Sequence, residues 1–444
     1  MLNISEHDTA IKASLDYNEY ANVLSRVQEH ISVSFSDIDN VSSALLKDAI
    51  SQYIKNNGIR CTGTYCVEEL TNYLYHDMAE YSFITRESLF DKPNFEELNI
   101  NSWDDVDIKI DGRTYKTEYR FISPMHAIDI HKRMLRINKI TLDDAKPRAI
   151  ADIGDNIRIC VEKTPIVDKD VAVVSSIRKV KSGFVEKEEL IKWGTANEDM
   201  INLLLLCLEH GVSVCVSGET GSGKTTLAGA LIAIVSQNLR TVTIEEGSRE
   251  WQFRAKDAHG AWKNSVVHMK TLQNEDEQYC ITQGDLVKDA LRLDPDFLPI
   301  GEIRGEEAYE IMGASNTGHT VITTIHSNGT EDTPLRLITL AKKAFDMSDT
   351  TLLSMASRAF PILVHIELCA DKKRRITEIS EVLSYDGSLV KQNMLYQYDI
   401  SDNIKNGNEV TVNGCFSAVG KISSKLAGRM LKKGAERSEL EKYI

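Results

Sequence analysis

The sequence predicts an α/β fold for its larger C-terminal part, preceded by a small α+β domain and a helical extension. Three observations carry that reading. Beyond residue 195, short apolar runs near 212–217, 240–245, 297–302 and 320–325 alternate with helical stretches, the signature of a mostly parallel sheet covered by helices. A glycine-rich turn joins the first of those runs to a helix-length apolar run, Leu227 to Val235. Between about 86 and 180 the texture is one of short strands, an Asp111-Gly112 turn and one amphipathic helix.

Taken in order, residues 1–85 read as a helical extension, with apolar positions at Leu24, Val27, Ile31, Leu45, Leu46, Ile50 and Ile54 and no catalytic constellation. Residues 86–180 form the α+β domain. Strands are expected over 95–101, 106–110 and 114–119, a helix over 125–138, and strands over 157–161 and 171–177. The charged stretch 181–194 reads as a hinge linker, and 195–444 as the α/β domain. Runs 362–368 and 375–383 flank Lys372-Lys373-Arg374-Arg375 and suggest a hairpin whose basic turn is solvated rather than a binding site. The last thirty residues read as a basic helical surface tail.

Length and composition narrow the function classes. A chain of 444 residues is too long for one ordinary core. Its 52 Lys and Arg against 66 Asp and Glu leave a net charge of −14, which disfavours nucleic-acid binding as the main activity, because that rests on surplus cations. The eight cysteines are scattered without a C-x2-C pair, so a structural zinc is not expected. Cys207 and Cys215 sit in apolar runs and read as buried thiols. The longest apolar run, Met200–Leu208, spans nine residues, short of a membrane span. The polar opening MLNISEHDTA has no signal-peptide core. Together these lead us to expect a cytoplasmic protein.

The turn itself is the most specific signal. Gly218-Glu219-Thr220-Gly221-Ser222-Gly223-Lys224-Thr225-Thr226 fits G-x-x-x-x-G-K-[ST], which arises by chance in roughly one or two of a hundred chains this long. The backbone must wrap a triphosphate closely, so glycines recur where a Cβ is a liability. Lys224 brings a compact cation to the β/γ phosphates, and the Thr225 hydroxyl is placed to ligate Mg²⁺. The following helix presents its N-terminus to the anion. This predicts a nucleotide-binding site for ATP with Mg²⁺. Hydrolysis needs acidic groups besides. Glu245 and Glu246 after the 240–245 strand, Glu302 at the end of the 297–302 run, and His319 and His326 bracketing the 320–325 strand are all candidates to converge on Lys224.

In that order, GETGSGKTT, TIEEGSRE, LRLDPDFLPIGEIRGEEA and SNTGHTVITTIHSN resemble the Walker A, acidic, Walker B and histidine boxes of the secretion ATPase superfamily. That superfamily serves type II secretion, type IV pili and type IV secretion. FEELNINSWDDVDI, DDAKPRAIADIGDNIRI, VSSIRK, RRITEISEVL and the Gly414-Cys-Phe-Ser segment extend the resemblance, which looks most like the tight-adherence or Flp-pilus (CpaF-like) branch. It covers roughly 90–440 and leaves the 1–85 extension outside. The resemblance implies a RecA-like P-loop domain. Glu302 would polarise water, Glu245 would lie near Mg²⁺ and the γ-phosphate with Glu250 next in that box, and His319 and His326 would sense nucleotide state. Arg158 and Arg178 would reach the phosphates as the domains close. Glu246 departs from the family's usual Asp. Bland readings stand beside these: satisfied core histidines, surface arginines, a helix-initiating Glu302. The resemblance also implies a homohexameric motor acting on an inner-membrane platform protein, at the cytoplasmic face of the membrane and without direct nucleic-acid contact. A nucleotide-gated scaffold with little hydrolysis and a DNA translocase are the rival classes.

Overall fold

The computed structural model describes residues 15–35, 41–64, 66–92, 94–110, 112–154, 156–179, 185–247, 250–272, 277–343, 346–407 and 409–444. The MLNISEHDTA opening, Asp111 of the expected turn and residues 181–184 of the expected linker lie outside them. The chain divides into two compact units, one up to residue 181 and one from 182 on.

The first unit begins with helices α1 (Tyr17–Ser34), α2 (Ser43–Asn56), α3 (Val67–Ala79) and the single turn α4 (Phe83–Arg86). Asp16 caps α1 through Asn18 N–H, and Ser42 caps α2 through Leu45 N–H, each satisfying an otherwise orphaned donor. Leu24, Val27, Ile31, Leu46, Ile50 and Ile54 interlock with Leu70 and Leu74 in one core. Leu45, expected among them, is 53% exposed, because it lies one residue round the helix from Leu46 and the buried stripe is narrow.

Next come β1 (Phe95–Ser102), β2 (Asp105–Ile110), β3 (Arg113–Lys116), α5 (Pro124–Arg136), β4 (Arg148–Ile153), β5 (Ile157–Lys163) and β6 (Val173–Lys179). They form an antiparallel sheet in the order β3-β2-β1-β6-β5-β4. Its apolar side, with Leu98, Ile100, Ile159, Val161 and Ile177, shares a core with Ile130 and Met134 of α5. Strand β4 was not expected, since Arg148-Ala-Ile-Ala-Asp-Ile153 follows a Lys-Pro pair and alternates only weakly. Arg133 of α5 donates to the carbonyls of Asp77 (3.2 Å) and Glu80 (2.5 Å), tying the helical extension to this sheet.

The second unit contains α6 (Lys187–Lys192), α7 (Glu198–Glu209), β7 (Val214–Ser217), α8 (Lys224–Val235), β8 (Thr241–Glu245), β9 (Val266–Lys270), α9 (Gln283–Ala290), β10 (Phe297–Ile303), α10 (Ala308–Asn316), β11 (Thr320–Ile325), α11 (Thr333–Ala341) and α12 (Asp349–Ala359). It ends with β12 (Ile362–Leu368), β13 (Arg374–Tyr385), β14 (Val390–Asn406), β15 (Glu409–Ala418), α13 (Ser424–Lys432) and α14 (Arg437–Leu440). Of the expected linker over 181–194, residues 187–192 instead fold as α6, because Leu190 finds a place in this unit's core.

The nine-stranded sheet runs β15-β14-β13-β12-β7-β11-β10-β8-β9. Strands β12, β7, β11, β10, β8 and β9 are mutually parallel, and β13–β15 continue as an antiparallel meander. Val214 and Val216 enter one core with α7, α8 and α13. Cys215 between them enters the other, with α9–α12. Such two-sided burial explains why these strands read as unbroken apolar runs. The meander was missed beyond Leu383. Strand β14, between β13 and the edge strand β15, carries Gln, Asn, Asp and Lys on half-wet faces, so no apolar run marks it. The basic tail is helical as expected, but Leu426, Ala427 and Met430 bury one side of α13 in the core.

Candidate nucleotide site

In a parallel sheet every strand delivers its C-terminal end to the same edge, and the segments after β7, β8, β10, β11 and β12 gather there. Ser217 ends β7, Gly218–Gly223 form the loop, and Lys224 opens α8. Gly221 and Gly223 hold φ of +77° and +101°, where a Cβ is strained. A Cβ on Gly218 would collide with the carbonyl of Ile366 in β12 and sit 2.6 Å from Ser222 Oγ. Ser222 Oγ is buried with no hydrogen-bond partner among the described residues. A glycine-walled cradle at a helix N-terminus, with an orphaned hydroxyl in it, fits a phosphate anion. Thr225 and Thr226 stand exposed in the first turn of α8.

Lys224 Nζ donates to the carbonyls of Gly218 (2.9 Å) and Glu219 (2.8 Å) and lies 3.4 Å from Nδ1 of His326. Burial pulls the Lys224 ammonium below the ordinary lysine range, and the charge of Glu302 opposes that shift. His326 follows β11, and its Nε2 is 2.6 Å from Oε1 of Glu302. Lys224 can only donate, so Nδ1 of His326 accepts, while Glu302 Oε1 is buried beside Nε2 without a well-aligned hydrogen bond among the described residues. The other oxygen, Oε2, accepts from Arg304 Nη2 (2.7 Å) and Nε (2.9 Å). Arg304 Nη1 also donates to Glu246 Oε2 at 3.2 Å. Burial works against the Arg304 charge, but the hydrogen bond and charge of Glu302, with Glu246, raise its pKa.

Glu302 is aimed by a bulge. Pro299 of β10 pairs with Ile322 of β11, while Glu302 pairs with Thr324, so three steps of one strand match two of the other. Thr323 Oγ1 donates to the Gly301 carbonyl at 3.2 Å within that irregularity. Beside the loop a cleft of about 450 Å³ runs past Gly218, Glu219, His326 and Asn328 to Asp332, just before α11, and Arg336 within it.

Of two further expected members, Glu245 lies beside Gly301 with one oxygen turned to the backbone, and only His319 stands apart. Glu245 is 5% exposed, and its Oε1 accepts the backbone N–H groups of Glu250 (2.7 Å) and Trp251 (3.0 Å). It secures the turn after β8 and seats Trp251 against Gly229 of α8. Of the acidic box, Ser248 and Arg249 lie outside the described residues. His319 precedes β11, and its Nδ1 lies 3.3 Å from the Ala314 carbonyl. It therefore sits a full strand from His326, roughly 20 Å at the usual rise, at the opposite edge of the sheet. The expectation that both histidines meet Lys224 is thus corrected for His319.

Arg158 and Arg178 belong to the first unit. They are direct cross-strand partners on β5 and β6, in a row that continues to Asp152 on one side and to Glu97 and Lys109 on the other. Like charges placed opposite each other repel, and the flanking carboxylates offset that. Among the described residues, no group of three or more His, Cys, Asp or Glu is placed to hold a metal ion.

Sequence reasoning passed over Arg304, Arg374 and His365. Arg304 sits two residues beyond Glu302, the one signal available for it. Arg374 Nε donates to the Gly221 carbonyl at 2.9 Å, so the basic turn expected to be merely solvated touches the loop. His365 pairs across β12 with Ser217, and its Nδ1 is 2.9 Å from Ser217 Oγ. Burial lowers its pKa against the pull of Glu367.

Residues 105–415 match the model of the family described as Type II/IV secretion system protein. The chain belongs to that family. The matched span contains the whole 218–226 loop and the strands that surround it. The chain is 32% identical over 187 residues to an uncharacterized protein of Methanocaldococcus jannaschii, covering 42% of this chain and 32% of that one. It is 29% identical over 214 residues to the conjugal transfer protein TrbB of Rhizobium radiobacter, covering 47% and 60%. The chain thus spans less than two thirds of either relative. The crystallised ATPase DotB of Legionella pneumophila is similar at 20% identity and a TM-score of 0.49, over 68% of this chain and 81% of that one. No helix among the described residues is long and apolar enough to cross a membrane.

Proposed function

We propose that this chain is an ATP-hydrolysing motor that works as a homohexamer on an inner-membrane platform protein, at the cytoplasmic face of the membrane. The observation that carries the reading is the contact chain Lys224–His326–Glu302 at one sheet edge, joined to a glycine-walled loop. Lys224 and the loop N–H groups bind the phosphates. Glu302 orients the attacking water. His326 bridges the phosphate-binding cation and that carboxylate, so a change at one is felt at the other. Thr225, with Glu302 beyond it, is the group that would hold Mg²⁺, which supplies charge neutralisation on the phosphates when bound. Glu245 acts through the backbone it fixes.

Arg158 and Arg178, side by side on one strand pair, are the cations offered by the 86–180 domain to the nucleotide. Binding closes that domain on 195–444, with 1–85 as a docking extension. The branch is the tight-adherence pilus branch or its conjugative relatives. The conjugal-transfer relative lends weight to the latter.

The deciding test is ATP hydrolysis per protomer as protein concentration rises, beside Glu302→Gln. The expected result is a rate that climbs with concentration and falls by about a hundredfold or more in the variant, with nucleotide binding kept. Equal inertness of both at every concentration would sink the motor reading for this chain.

A further inference from the structure

The basic run at 372–375 is assigned no task by the reading above, yet the fold places it against the phosphate loop. Strand β12 runs parallel to β7, with His365 opposite Ser217. The turn between β12 and β13 is therefore delivered to the edge where the loop lies. That turn is rigidly made. Arg375 and Asp371 form a two-pronged ion pair at 2.7 and 2.6 Å, with both side chains 7% exposed. The Arg375 guanidinium also lies 5.0 Å from the Tyr398 ring centre. Cys369 N–H donates to the Lys373 carbonyl, and Lys372 N–H to the Cys369 carbonyl, each at 2.9 Å.

Arg374 is the residue this frame points at the loop. Its Nε donates to the Gly221 carbonyl at 2.9 Å. Its Cδ lies 2.9 Å from where a Cβ on Gly223 would stand, so Arg374 fills the space that glycine leaves. The Arg374 side chain forms no other hydrogen bond or ion pair among the described residues. Gly218, at the other end of the loop, is closed in by Ile366 of the preceding strand.

We propose that Arg374 is a nucleotide-positioning residue, holding the phosphate loop from the β12–β13 turn so that its N–H groups are already aimed when nucleotide arrives. Three glycines in six residues make this loop costly to order. A charged donor bonded to its middle carbonyl removes part of that cost before binding. Lysine has no planar Nε–H at that reach and cannot pack flat over Gly223.

The inference rests on the nucleotide reading of the site, and the experiment separates the two. A fluorescent ADP analogue is titrated into the full chain and into Arg374→Ala, Arg374→Lys and Lys224→Ala, with each melting temperature measured without nucleotide. Amide exchange is followed over 218–223. Arg374→Ala should bind about tenfold more weakly with an unchanged melting temperature, Arg374→Lys should recover only part of that, and loop amides should exchange faster in both. Unchanged affinity and exchange in Arg374→Ala would overturn the proposal, as would a loss matched by a lower melting temperature. Wild type that fails to bind the analogue would sink the nucleotide reading. The exchange comparison, which needs no ligand, would still decide whether Arg374 holds the loop.

Discussion

At the scale of single residues, two histidines from one sequence box have been given different surroundings by the strand between them. His326 touches both Lys224 and Glu302, whereas His319 answers to Ala314 and Thr317 at the far edge. We therefore expect His326→Ala to lower kcat for ATP by about a hundredfold, the scale of removing one donor at the transition state. His319→Ala should leave nucleotide affinity within about twofold, since sites this far apart with no shared partner act independently. Steady-state kinetics and nucleotide titration of the two variants check this. Equal loss of affinity in both would contradict the placement of His319. Glu245 makes a similar point. A carboxylate read as a metal neighbour spends one oxygen on two backbone donors, and a sequence box cannot say which way a carboxylate faces.

At the scale of elements, α5 shows how a buried polar group sets a pH dependence. His131 is fully buried, with Nδ1 2.7 Å from the Ala127 carbonyl and Nε2 2.8 Å from Ser175 Oγ. Burial pushes its pKa down to about 4, against the Ala127 carbonyl. The folded chain thus keeps this imidazole neutral where the unfolded chain protonates it near the usual value of about 6.5. Stability from this group is complete above that value and is lost as pH falls toward about 4, up to about 3 kcal/mol. The first unit of wild type should therefore lose more stability between about pH 7 and pH 5 than His131→Gln does. Urea unfolding at the two pH values measures it, and parallel losses would refute the assignment. The elements that were legible in the sequence share a strong period. α1 and α2 have apolar stripes, and β7, β10 and β11 are short, mostly buried runs rich in apolar and β-branched residues. Strands β4 and β14 were not legible, because an edge or half-wet strand has no obligation to be apolar.

For the whole molecule, each unit has its own hydrophobic cores. The helical and sheet cores belong to residues below 181, and the cores on the two sides of the nine-stranded sheet to residues above it. A fragment of residues 185–444 should therefore fold and bind nucleotide alone. If Arg158 and Arg178 act on phosphates as proposed, that fragment should turn over ATP at least about tenfold more slowly than the full chain. Circular dichroism, nucleotide titration and ATP hydrolysis of the fragment check both halves. Full turnover by the fragment would remove the two arginines from the mechanism.

The sequence by itself determined the phosphate loop, the order of the boxes and the alternation of strand and helix, since each rests on local spacing and burial. Glycines at required backbone angles and apolar runs of strand length can be read along a chain. Only the tertiary structure decided which box residues meet. A parallel sheet brings the ends of β7, β10, β11 and β12 together while sending their starts to the opposite edge, so seven residues separate a site histidine from a remote one. It also brought Arg374 onto Gly221 from 153 residues away, a contact made by the parallel pairing of β12 with β7. No local spacing encodes such a pairing, because it is selected by how the two apolar faces of the whole sheet are buried at once.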